Sequence, residues 1–71
     1  RRTAARALIG QLSERQRAVL IAMAAGQLNK QIAWQLGLTE RTVKMHRAAL
    51  FQSLGVTTSA DAIRIAVEAG Y

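Results

Sequence analysis

The residues able to serve as general acid or base, or as a thiolate, are few: one histidine, His46, four acids, Glu14, Glu40, Asp61 and Glu68, and no cysteine among 71 residues. Dispersed in this way they assemble neither a Ser/His/Asp set nor paired carboxylates, and no glycine-rich phosphate loop is present. Without cysteine there is neither a disulfide nor a thiolate metal site, and a lone histidine builds no imidazole cluster. The sequence therefore predicts no catalytic residue, no metal and no cofactor, and argues against an enzyme. Positive charge is what the chain has in excess: 10 Lys and Arg against 4 acids, a net +6. Arg15, Arg17, Lys30, Arg41, Lys44 and Arg47 share the span from Arg15 to Arg47 with a single acid, Glu40. Such a field attracts a polyanion, most commonly nucleic acid, although charge alone fits solvated helix faces about equally well.

Spacing sharpens that reading. If residues 40–54 are helical, Arg41, Lys44, Met45, Ala48 and Gln52 fall within a sector of about 100°, opposite Val43, Leu50 and Leu54. The stripe contains no acid. Long cations and amides can reach phosphates and base edges in a major groove, and small residues let the backbone approach. Lys44 suits guanine O6/N7, Met45 and Ala48 suit thymine methyls, and Arg41 and Arg47 suit phosphates. His46 lies toward the core edge of the same helix and is predicted to pack there, a ring nitrogen bonded to backbone or phosphate.

Composition and punctuation supply the elements that must position this stripe. Apolar residues make up 51% of the chain but aromatics only 4%, so the core must come from Leu, Ile, Val and Ala, which suits small packed helices. Gly26, Gly37, Gly55 and Gly70 each follow an apolar-periodic stretch, as helix-closing glycines do. Ser13 with Gln16 is a capping-box pattern, Thr39 precedes Glu40, and Thr58 precedes Asp61 by three. Only the second helix lacks a polar cap in front, Leu28 standing there, with Asn29 able to serve one residue later. The spacing predicts an all-α, four-helix domain with helices at about 14–25, 29–36, 40–54 and 59–69. Their inward faces are Val19, Leu20 and Met23; Ile32, Ala33 and Leu36; Val43, Leu50 and Leu54; and Ile63, Ala66 and Val67, with Leu12, Leu38 and Val56 plugging the connections. Residues 1–11 read as a linker or a short extra helix, with the domain proper at 12–71. No apolar run reaches the roughly 18 residues of a membrane span, and the Arg-rich start lacks the apolar stretch of a signal peptide. A soluble, cytoplasmic protein is expected.

From Asn29 to His46 the pattern reads as a helix-turn-helix. Ala33 lets two helices approach, Gly37 turns the chain, and Val43 wedges the pair, with Ile32, Leu36 and Leu38 between them. A plain helical hairpin obeys the same packing rules. On the fourth helix, Ile63, Ala66 and Val67 suffice for docking, yet Ala62, Ile65 and Ala69 are also apolar and are assigned to other sides. That bare surface predicts a homodimer through Ala62, Ile65 and Ala69, although alanine forms helices well without burial. Trp34 points away from the second helix's apolar face.

Leu12-Ser-Glu-Arg15, Asn29-Lys30, Ile32-Ala33, Leu36-Gly-Leu38-Thr-Glu40, Thr42-Val-Lys44, His46-Arg47 and Leu54-Gly-Val56 resemble the LuxR-type DNA-binding domain of bacterial response regulators and quorum-sensing regulators. The resemblance covers about 12–71. It implies a third helix in the major groove of double-stranded DNA, dimerisation through the fourth helix, and a receiver or ligand-sensing domain N-terminal to this one. Carried over position by position, it implies base-edge contacts at Lys44, Met45 and Ala48 and backbone contacts around Lys30, Thr39, Thr42 and Arg47. The chain departs from the family's usual residues at Gln16, Ala18, Leu28, Ser53 and Ser59. These departures imply a weaker cap and two fewer cations, and Ala48 offers no hydrogen bond, which leaves selectivity to Lys44 and DNA shape. The expected function is sequence-specific DNA binding by a transcription regulator's output domain. The rivals are the fourth region of sigma factors, a protein-interaction module that keeps the fold without DNA, and, more distantly, a basic membrane binder.

Overall fold

Local hydrogen bonds at the chain's polar punctuation set the element boundaries. The computed structural model describes residues 2–71 and contains five helices, α1 (Arg2–Gly10), α2 (Glu14–Ala24), α3 (Asn29–Leu36), α4 (Glu40–Leu54) and α5 (Ser59–Glu68). At α2, the backbone N–H of Gln16 donates to Ser13 Oγ (3.1 Å) and that of Ser13 donates to Gln16 Oε1 (2.9 Å), closing the predicted capping box. Thr39 Oγ1 accepts from the Thr42 N–H at 3.0 Å, and Thr58 Oγ1 from the Asp61 N–H at 3.1 Å. The cap of α3 differs from the expectation. Leu28 is its N-cap and offers no acceptor; instead Gln31 Oε1 reaches back to the Leu28 N–H at 2.8 Å, and Asn29 is already the first helical residue.

Burial follows the predicted faces on three helices. Val19, Leu20 and Met23 of α2, Ile32 and Ala33 of α3, and Val43, Leu50 and Leu54 of α4 are buried together with Leu12. Leu36, Leu38, Phe51 and Val56 are half-buried against them. Residues 2–10, open between linker and helix in the sequence, form α1, which packs on α5 and α4 through Ala5 and Ile9. Arg6 Nε ties the two helices further by donating to the Ala69 carbonyl at 3.0 Å. Arg1 lies outside the described residues.

The face of α5 is a correction. Ala62, Ile65 and Ala69, expected on a free dimer surface, are 0%, 8% and 1% exposed, whereas Val67, expected in the core, is 60% exposed. Ala62, Ile65, Ala66 and Ala69 repeat at i, i+3, i+4 and i+7, so they form one stripe; small side chains along it allow both α1 and α2 to approach. Part of that cover is α1, whose existence the sequence left undecided.

Replacing Ile65 tests this arrangement. Leu or Ile to Ala in a core costs about 2–5 kcal/mol, against a total of about 4–11 kcal/mol for a domain of this size. Ile65→Ala is expected to lower the unfolding free energy obtained from a denaturant titration by that amount, and Ile65→Glu to unfold the domain. A folded Ile65→Glu protein in circular dichroism would place Ile65 at the surface instead.

Candidate nucleic-acid interface

The interface is built on the turn between α3 and α4. After Leu36 the chain must reverse within three residues, and Gly37 does so at φ 68°, ψ 35°, a left-handed conformation that costs a residue with a Cβ about 1–2 kcal/mol. The Leu38 N–H then donates to the Ala33 carbonyl at 2.8 Å, closing α3 with the bond that typifies a helix-ending glycine. Thr39 follows as the cap of α4, its hydroxyl both accepting from the Thr42 N–H and donating to Thr42 Oγ1 at 3.0 Å. Two helices thus meet over a three-residue connection with buried Ala33 and Val43 at their crossing.

That crossing turns one side of α4 outward. Arg41, Lys44, Met45, Ala48 and Gln52 are all exposed, Met45 at 63%, and run for about 16 Å along the helix. Thr42 and His46 are half-buried on its flank. Lys30 is exposed on α3, as is Thr39 at the turn. Among the described residues the single ion pair is Arg64 with Asp61, 3.4 Å apart on α5, so no acid neutralises Lys30, Arg41 or Lys44. The structure thus brings the expected base-edge positions onto one surface, with Arg41, and sets Lys30, Thr39 and Thr42 beside it on α3 and at the start of α4.

Arg47 is placed differently from a free phosphate clamp. It is half-buried, its Nη1 donates to Asn29 Oδ1 at 2.8 Å, its Nη2 donates to Ser59 Oγ, and its guanidinium lies 5.9 Å from the Phe51 ring centroid. Sequence reasoning missed these partners because both lie on other helices, at the first residue of α3 and of α5. A second unexpected feature is the degree of exposure of Trp34, 87%, beside Lys30 and Gln31.

A recognition helix bare on one side, held by a glycine turn against a preceding helix, and rich in unneutralised cations defines a helix-turn-helix DNA-binding domain. Comparison with known proteins narrows the class. The profile of the family described as "Bacterial regulatory proteins, luxR family" matches residues 10–66, and the chain belongs to that family. It is 44% identical over 59 residues to the transcriptional regulatory protein MctR of Rhizobium johnstonii, covering 83% of this chain and 28% of that protein. It is 39% identical over 66 residues to the transcriptional regulatory protein FixJ of Rhizobium meliloti, covering 93% of this chain and 32% of the relative. Among solved structures, full-length FixJ from B. japonicum superposes with a TM-score of 0.88 at 29% identity, over 97% of this chain and 34% of that one. The chain thus spans about a third of the length of the curated relatives it matches.

Proposed function

We propose that this domain reads double-stranded DNA for a longer regulator, with the outer face of α4 in the major groove. The observation that carries the reading is the exposed, acid-free stripe Arg41, Lys44, Met45, Ala48 and Gln52 on a helix whose opposite side is fully buried. Lys44, Met45 and Ala48 meet base edges. Lys30, Thr39, Arg41 and Thr42 meet the backbone, where phosphate contacts fix register without carrying sequence information. Lys44 is the one member of the base-edge set able to hydrogen-bond, so selectivity combines it with apolar contact and DNA shape. The domain contributes binding, not catalysis, and the relatives' greater length supports a receiver or sensor domain elsewhere in the whole protein, which would work in the cytoplasm.

Dimerisation through the fourth predicted helix, now α5, needs a new face. The outward residues there are Ala60, Arg64 and the 60% exposed Val67, with half-buried Ile63 alongside. A two-fold pairing across Ile63 and Val67 would present two α4 helices to half-sites in inverted arrangement, whereas a direct repeat would need a head-to-tail pairing.

Binding to duplex DNA as a function of salt tests the central claim. With about 0.9 contributed per phosphate neutralised, Lys30 and Arg41 give a log–log slope of about 1.8 in magnitude per domain. A slope near zero would favour the protein-interaction alternative. Lys44→Ala is expected to cost about 1–3 kcal/mol on the preferred sequence and to relax preference at one base position; equal loss on every sequence would reassign Lys44 to phosphate. For the dimer, Val67→Glu is expected to lower the sedimentation coefficient at high protein concentration without altering the far-ultraviolet spectrum. An unchanged coefficient would reject this face.

A further inference from the structure

Arg47 lies on the flank of α4, between the buried side of Val43 and Leu50 and the outward stripe. Its two terminal nitrogens are engaged in opposite directions, one with Asn29 at the start of α3 and the other with Ser59 at the start of α5. Phe51, one turn further along α4, lies under the guanidinium. Helix dipoles do not explain this placement, because the N-terminal ends of α3 and α5 are positive and disfavour a cation. Directional hydrogen bonds and stacking on Phe51 must hold it there instead, and a planar, forked guanidinium provides both.

The three helices so joined have separate tasks under the DNA-reading function proposed above, on which this inference rests. Residue 30 follows Asn29 directly and is the backbone contact of α3, α4 reads bases, and the outer face of α5 pairs two copies. We propose that Arg47 is a positioning residue for base readout, fixing the pose of α4 relative to the backbone-gripping start of α3 and to the pairing helix α5. Its charge is secondary to its fork. Base-edge hydrogen bonds depend steeply on distance and angle, whereas attraction to phosphates does not, so loosening this joint removes discrimination before it removes general affinity.

The test uses the 71-residue chain and an operator selected by it from randomised duplexes, compared with a scrambled duplex over a range of salt. Arg47→Lys keeps the charge and loses the fork. It is expected to leave the salt slope unchanged while reducing the preference for operator over scrambled duplex by about 2- to 30-fold. Asn29→Ala and Ser59→Ala, which remove no charge, are expected to reduce the preference in the same sense, and Asn29→Ala should add little to Arg47→Lys because the pair acts as a unit. Lys30→Ala is the contrasting case, with the slope falling by about 0.9 and the preference retained. The inference is overturned if Arg47→Lys matches the wild type on both duplexes while Arg47→Gln lowers the slope by about 0.9, the behaviour of a phosphate contact. It is also overturned if Asn29→Ala and Ser59→Ala, folded by circular dichroism, keep the full preference. Salt-independent binding by the wild-type chain would reject the DNA-reading proposal itself, a different result from either of these.

Discussion

One helix has to be buried along one side and bare along the other, and the rest of the domain is arranged around that requirement. All four remaining helices touch α4, and they do so on the side of Val43, Leu50 and Leu54, which are at most 5% exposed. A helix of 15 residues is only marginally stable alone in water, so α4 owes its regularity to that burial. Its outer stripe is then free of structural duty, and cations can occupy it without any desolvation cost at the protein's expense. Packing and binding are thereby assigned to opposite halves of the same element.

Charge and packing act against each other here. With a net charge of +6 on 71 residues, self-repulsion opposes compaction, and a core of Leu, Ile, Val, Met and Ala must outweigh it. The cations are spread to limit the conflict. Arg6 donates to the Ala69 carbonyl and Arg15 to the Leu36 carbonyl at 3.4 Å, both at helix C-terminal ends where positive charge is favoured. Those left on the reading surface repel one another until phosphates neutralise them. DNA that binds only the folded chain therefore stabilises it, by about 2.7 kcal/mol at a hundredfold excess over the dissociation constant.

What was legible in the sequence was what depends on neighbours in the chain. Ser13 with Gln16, Thr39, Thr58 and the turn at Gly37 act over three to five residues, so the boundaries of α2, α4 and α5 and the exposed stripe of α4 could be read directly. The face of α5 could not. Its sequence offers two interleaved apolar sets, Ile63, Ala66 and Val67, read as docking, and Ala62, Ile65 and Ala69, read as free; the structure buries the second set with Ala66 and leaves Val67 60% exposed. The choice also depended on α1, whose Arg/Ala-rich sequence left residues 1–11 open between linker and helix. The partners of Arg47 were out of reach for a related reason: its type and position on α4 suit a phosphate, and only the folding of α3 and α5 brings Asn29 and Ser59 within hydrogen-bonding distance.

Ser59 illustrates how a departure from the family's usual residues can be absorbed. An arginine there would add a cation near the DNA surface, but beside Arg47 it would place two guanidiniums at one helix N-terminus, an end that disfavours both. Serine instead supplies a hydroxyl acceptor that orients Arg47. The proposed base-edge set of Lys44, Met45 and Ala48 holds one hydrogen-bonding cation, one thioether and one methyl group, and so has few direct ways to distinguish bases. Under the proposed reading, selectivity rests on how rigidly those groups are presented and on the shape of the DNA that can accept them, which gives the joint at Arg47 a weight beyond its charge.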